Sequence, residues 1–337
     1  MSLLSIWRPE LYHGEGKRPP FFEGWYFKLV DAAGGNPFAV IPGIFIGRDA
    51  VSSHCFVQTL DGATGRTTYT RYPIEAFGAD RRRFDIRVGP SRFQAGRLTL
   101  QIESPETSLT GEVNLQCLTP WPVTLGSPGI MGPYAFAPFM ECYHAVLSLD
   151  HSLEGQLAID GRTVDFSSGR GYTEKDWGQG FPAAWVWMQS NHFEGAPGAS
   201  LTASIAVIPW LGSTFPGFIA GLWHLGRLFR FATYTGATSE SLEVANDRVV
   251  WRLASRGARA GRPHGHRLEI VARRAAAGML RSPERVAMIQ RVPESLTATI
   301  AVRLIALGRD GEREIFAGTG LHAGLEIVGH VPGAVGL

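Results

Sequence analysis

A chain of 337 residues is long enough for one large β domain or two domains of ordinary size. Its formal net charge of +2 leaves no electrostatic footprint for a nucleic-acid partner. Charged residues make up 18% of it, below the roughly 25% usual in soluble domains. The 41 glycines ask for many turns and short strands.

Residues 1–20 form an irregular lead-in broken by Pro9, Gly14, Gly16, Pro19 and Pro20. They lack the basic stretch and apolar run of a secretory signal, so a cytoplasmic location is expected. Three cysteines, Cys55, Cys117 and Cys142, with no paired spacing argue against a disulfide framework and for a reducing compartment. The first strand runs over 21–30, FFEGWYFKLV. Alternation sends Glu23, Trp25, Phe27 and Leu29 to one face, and Phe22, Gly24, Tyr26 and Lys28 to the other. Short apolar runs follow at 38–46, 53–60, 67–72, 83–88, 97–103 and 109–118, separated by turn signals such as Asp61-Gly62 and Gly89-Pro90. They predict an antiparallel β meander.

Residues 113–140 contain no Asp, Glu, Lys or Arg but five prolines and several aromatics, including Trp121, Tyr134, Phe136 and Phe139. This stretch is too broken for a strand or helix and too apolar for a solvated linker. It reads as a connection between two β domains lying across the mouth of a cavity, or as a crossover packed on a core. The resulting division is 1–118, a connection at 119–139, and 140–337, with a hairpin at 141–149 and 155–159 opening the second half. Residues 195–226 are also free of Asp, Glu, Lys and Arg, but Pro209, Gly212, Pro216 and Gly217 break them into two strands rather than a membrane helix. Further strands are expected at 228–234, 249–254, 268–273, 296–307, 314–318 and 323–328. Helix is scarce, with 181–188 and 262–277 as candidates that read equally well as strand or loop.

The densest chemistry lies in 169–193, GRGYTEKDWGQGFPAAWVWMQSNHF, where Glu174, Lys175 and Asp176 sit among aromatic residues. Charges resist such surroundings unless they are paired or used. In an extended chain Tyr172, Glu174 and Asp176 share one face, and Lys175 and Trp177 the other. Two carboxylates on one face tend to share a proton, which raises one pKa. An ordinary ion-paired loop would carry the same three charges. Metal readings are weak, because His264-Gly265-His266 has no third ligand nearby. No phosphate-binding or dinucleotide-binding glycine motif is present in the right context, so no cofactor is called for.

Taken together, FFEGWYFKL (21–29), GYTEKDWGQGFPAAWVWMQSNHFEG (171–195) and the Pro/Gly/aromatic stretch between them resemble the tocopherol cyclase family. YTEKDWG is also similar to the Tyr-x-Asp-His-x-Trp-Gly pattern of carotenoid 1,2-hydratases, two-domain lipocalin-like proteins. In that pattern the acid is the carboxylate two residues after the tyrosine, here Glu174; Lys175 stands where the hydratases have histidine. The resemblance implies an all-β protein of two lipocalin-like or sandwich-like antiparallel domains, with a hydrophobic cavity at or near their junction. It implies a cofactor-independent cyclase that protonates an alkene of a prenylated (hydro)quinone or related isoprenoid and traps the tertiary cation on a phenol oxygen. Glu174 would be the acid, with Asp176 or Tyr172 tuning it, and Glu23 a second acid or hydroxyl-binding group facing the same cavity. Trp25, Tyr26, Lys175, Trp177, Trp185, Trp187, Glu141 and Tyr143 would line the substrate site. A non-catalytic lipocalin-like binder of a lipophilic isoprenoid, or a related hydratase or pericyclic enzyme, would suit the same walls. The lipophilic substrate and the uncharged stretches leave room for peripheral membrane contact.

Overall fold

The runs of β-branched and aromatic residues become strands almost wherever turn residues bracket them. The computed structural model describes residues 3–259, 265–308 and 311–331. It is an all-β protein of two antiparallel, lipocalin-like units, Met1–Phe181 with Gly278–Val292, and Pro182–Ala277 with Pro293–Leu337. Among the described residues helix is limited to the four-residue Arg256–Arg259 and short 3-10 turns, and no helix is long and apolar enough to cross a membrane.

The first unit is built on a 12-stranded sheet. Eleven strands run in the order Thr67–Tyr72, His54–Asp61, Phe38–Ile46, Phe21–Val30, Arg170–Gly178, Cys142–Ile159, Ser108–Gln116, Arg97–Glu103, Ser91–Gln94, Asp85–Val88 and Phe77–Ala79, and the twelfth, Arg162–Asp165, pairs with Cys142–Ile159 off that path. One core cluster mixes residues from both ends of that order, such as Val57 with Val88 and Phe93, so the sheet curls over its own apolar face. Phe27, Leu29, Leu98, Val113 and Phe166 complete that interior. The opposite face carries a smaller cluster in which Met288, from the late segment Gly278–Val292, packs with Phe22, Phe45 and Phe56. Gln58 ties that segment down by donating to the Arg281 carbonyl (3.2 Å) and accepting the Arg281 N–H (2.7 Å).

Two expectations are corrected here, and one left open between helix, strand and loop is decided. The boundary expected at 119–139 is not one: the strands that flank it, Ser108–Gln116 and Cys142–Ile159, pair with each other from Ser152↔Gln116 to Ile159↔Leu109. The stretch is therefore a crossover within the first sheet, and the division falls after Phe181. The hairpin expected at 141–149 and 155–159 is a single strand of 18 residues. Gly155 sits in it at φ 127° opposite Val113, and Gly111, at φ 135°, stands two positions along opposite Leu157; a Cβ on Gly155 would lie 2.3 Å from the Glu112 carbonyl oxygen. Two glycines thus bend the strands and let the backbones close up where a turn was expected. The helical candidates 181–188 and 262–277 contain the strands Trp185–Ser190 and Gly265–Arg273. His264 lies outside the described residues.

The second unit holds the long strands Ser200–Trp210, Ser213–His224 and Gly311–Val328 around Trp185–Ser190. Val186 and Met188 point into its core, with Leu201, Trp251, Ile270 and Leu325.

Candidate functional site

Three neighbouring strands, Phe21–Val30, Arg170–Gly178 and Cys142–Ile159, carry the chemistry. Residues directly opposite in an antiparallel pair project to the same face. The register sets Glu23 against Trp177 and Trp25 against Lys175, while Tyr26 faces Glu174 and Lys28 faces Tyr172. On the other side Tyr143 meets Trp177, His144 meets Asp176 and Val146 meets Glu174. The expected single site is thereby divided. Glu23, Trp25, Lys175, Trp177 and Tyr143 share one face; Tyr26, His144, Tyr172, Glu174 and Asp176 share the opposite one.

The Glu23 face is a closed polar pin. Lys175 Nζ lies 2.5 Å from Glu23 Oε1, donates to the carbonyls of Pro9 (2.9 Å) and Leu11, and meets His13 Nδ1 at 2.9 Å. The His13 N–H donates to both Glu23 oxygens, at 3.0 and 2.8 Å. Nζ also sits 5.0 Å from the Trp25 ring centre and 4.7 Å from that of Trp177, and Trp177 is stacked between His13 and Tyr143. Both charges are fully buried. Burial alone would raise the Glu23 carboxyl, but the Lys175 ammonium and His13 hold it below its ordinary value. Burial pulls Lys175 down against the attraction of Glu23, and burial and Lys175 together keep His13 neutral. Every strong partner in this set is spent on fastening residues 9–13 to the sheet.

The Glu174 face is arranged differently. The Tyr172 hydroxyl donates to Glu174 Oε2 at 2.6 Å. His144 Nδ1 lies 3.0 Å from Asp176 Oδ1, and its Nε2 lies 3.8 Å from Glu174 Oε2. A carboxylate accepts and cannot donate, so the imidazole proton belongs on Nδ1 and the Nε2 lone pair is turned to Glu174. Tyr172 is fully buried, Glu174 nearly so, and Asp176 is more open. Beside them burial pushes the Cys142 thiol well up, so it is no thiolate nucleophile. Asp176 thus orders the imidazole and Tyr172 holds Glu174 Oε2, with His144 Nε2 close to the carboxylate but beyond hydrogen-bond distance. The donor atoms of His144, Glu174 and Asp176, within 4.8 Å of one another, are also of the kind that bind a divalent cation.

Tyr143 is thus on the Glu23 face, and Glu141, Trp185 and Trp187 lie outside both groups. Glu141 pairs with Arg285 at 3.1 Å, and the Tyr143 hydroxyl donates to the Ala137 carbonyl at 2.5 Å. Trp185 and Trp187 lie in the second unit on the face away from Val186 and Met188, and Trp185 Nε1 donates to Glu326 at 2.6 Å. Two residues of the site escaped sequence reasoning. His144 lies on the strand face opposite Tyr143, so alternation along 141–144 carried its signal. His13 lies in a lead-in without periodicity, and nothing local marks it.

Comparisons with known proteins agree with this architecture. The family model described as tocopherol cyclase-like matches residues 96–329. A tocopherol cyclase, chloroplastic, of Zea mays is 33% identical over 157 residues, 45% of this chain and 31% of that protein. A probable tocopherol cyclase, chloroplastic, of Oryza sativa subsp. japonica is 25% identical over 285 residues, 68% of this chain and 59% of that protein. The chain thus spans about a third and three fifths of these curated relatives. Among solved structures, CghA superposes with a TM-score of 0.55 at 13% identity, covering 93% of this chain and 90% of that one. CghA with Sch210972 gives 0.53 at 14% identity, with the same coverage. These two likenesses establish the fold alone.

Proposed function

From a chain that belongs to the tocopherol cyclase-like family, we propose an acid-catalysed cyclase acting on a prenylated hydroquinone or related isoprenoid, with Glu174 as the proton donor. The observation that carries it is the grouping of Asp176, His144, Glu174 and Tyr172 on one sheet face, with Asp176 on His144 Nδ1 and the Tyr172 hydroxyl on Glu174 Oε2. Protonated Glu174 delivers its proton to the trisubstituted alkene, leaving a tertiary carbocation. The phenol oxygen of the same substrate attacks that cation and closes the ring. The proton released from the oxygen returns to the Glu174 carboxylate, directly or through His144 Nε2, so the net reaction is an isomerisation. Asp176 holds the imidazole in the tautomer that can receive that proton. The rings of Tyr26 and Tyr172, on the same face as Glu174, stabilise the cation through their quadrupoles without adding a nucleophile stronger than the substrate phenol.

The test is chromanol formation from a prenylated hydroquinone by purified protein. Glu174→Gln is expected to lower kcat by about 10²-fold or more with the thermal midpoint within a few degrees of wild type. An equally active Glu174→Gln variant removes Glu174 from the acid role. Binding of the hydroquinone by wild type with no turnover at all supports the binding-protein reading instead. His144→Gln should lose less than Glu174→Gln and should shift the pH profile of kcat, which a purely structural role would leave in place.

A further inference from the structure

Within the crossover of the first unit, Val123–Thr124 pairs with Ser127–Pro128, and Leu125 and Gly126 form the tip of that small hairpin. Leu125 is 85% exposed, and Leu118, Val123 and Phe136 are each more than a third exposed. Leu118 and Val123 line the same cavity. Trp7, which ends the 3-10 turn Leu3–Trp7 of the lead-in, ties the group together. Its Nε1 donates to the Leu125 carbonyl at 3.2 Å, and its ring meets Phe136 edge-on at 5.6 Å between centres. Residues 113–140 bring no Asp, Glu, Lys or Arg to this surface. Single exposed leucines need no explanation, but a cluster of large apolar side chains marks a surface that is covered in use.

Cations border the cluster. Arg8 follows Trp7 and donates to the Arg82 carbonyl at 3.1 Å, which sets the turn Arg81-Arg82-Arg83 next to the lead-in. Arg81 pairs with Glu15, close in sequence to Lys17 and Arg18. Arg8, Arg81 and Arg83 have carboxylate partners. Lys17, Arg18 and Arg82 are exposed and make no ion pair among the described residues. We propose that this surface docks the first unit on an anionic lipid bilayer. Leu125, Val123 and Phe136 enter the boundary between headgroups and acyl chains, and Lys17, Arg18 and Arg82 meet the lipid phosphates. A bilayer suits the shape as well as the charge. The tip is narrow, with open space around Gly126, whereas a stable protein interface needs about 800 Å² from each partner. Docking requires neither Glu174 nor turnover, so it stands apart from the cyclase reading.

The experiment is cosedimentation of the full chain with vesicles of phosphatidylcholine alone, and of phosphatidylcholine with an equal part of phosphatidylglycerol. It is run at low salt and at about 1 M salt, where the Debye length falls to about 3 Å. The protein is expected to bind the anionic vesicles at least 10-fold more tightly than the neutral ones, and to lose that preference at high salt. Lys17→Ser with Arg82→Ser should weaken anionic binding about 5-fold per charge removed. Leu125→Glu should weaken it about 10-fold or more. Leu225→Glu, at an equally exposed leucine of the second unit, should change nothing. All these positions are exposed, so the thermal midpoint should stay in place. Absence of binding to anionic vesicles overturns the proposal. So does binding indifferent to lipid charge, binding that survives Leu125→Glu, or an equal loss with Leu225→Glu. Sedimentation velocity without lipid tests the other occupant: a wild-type dimer that Leu125→Glu dissociates would give this surface to a second copy of the chain and overturn lipid docking.

Discussion

Lys175 is held by a carboxylate, two carbonyls and an imidazole between two indole rings, so losing one partner strands a charge away from water. Lys175→Met is expected to destabilise the protein by about 3–5 kcal/mol because Glu23 is left buried and unpaired. Adding Glu23→Gln should recover part of that loss, and urea denaturation of the two variants measures both. An unchanged midpoint for Lys175→Met would mean the pin contributes nothing. Alternation alone separates Lys175 and Trp177 from Glu174. What it leaves undetermined is which face of each strand meets which, and only the pairing Glu23↔Trp177 puts Glu23 with Lys175.

His151 offers a pH test. It is buried, its Nδ1 meets Ser148 Oγ at 3.0 Å, and a Cβ on Gly171 would come within 2.3 Å of its Nε2. Burial pulls its pKa from 6.5 down to about 3. Between those values the unfolded chain binds the extra proton, so stability present above pH 6.5 falls as pH is lowered toward 3. His151 alone contributes a slope of about 1.4 kcal/mol per pH unit; His13, also lowered, adds in the same direction. Urea midpoints measured from pH 7 to 5 should fall less steeply for His151→Asn than for wild type, and equal slopes would acquit His151.

At the scale of elements, the segment Gly278–Val292 returns from late in the chain to cover Phe22, Phe45 and Phe56 through Met288. Its backbone is tied by the two hydrogen bonds of Gln58. Gln58→Ala should cost about 1–2 kcal/mol and speed amide exchange in 278–292 while the strands Phe21–Val30 and Arg170–Gly178 keep their protection. Uniform acceleration through the first sheet would show that Gln58 supports the whole unit instead. Strand runs such as 38–46 and 67–72 were legible because apolar residues there stop at clear turn signals. The long strand Cys142–Ile159 was not, because a glycine at positive φ looks the same in sequence whether it makes a turn or a bend.

At the scale of the molecule, the first sheet places Phe21–Val30 directly beside Arg170–Gly178, about 150 positions later in sequence. A fragment of residues 1–139 therefore lacks two of the three site strands and exposes the edges they covered. It is expected to show no cooperative thermal transition by circular dichroism, whereas a cooperative transition would restore the boundary at 119–139. Composition and turn spacing were enough for the all-β class. The unit boundary was illegible because strand neighbours far apart in sequence leave no local mark, and a proline-rich crossover resembles a linker.

The chain has three lysines, and Lys28 and Lys175 are fully buried while Lys17 is exposed. Amine-reactive reagents therefore meet a native surface with a single ε-amine. A fluorophore or surface linkage can be placed at Lys17 under mild conditions without mutagenesis. Acylation of Lys28 or Lys175, read by peptide mass mapping, becomes a count of how often the first sheet opens.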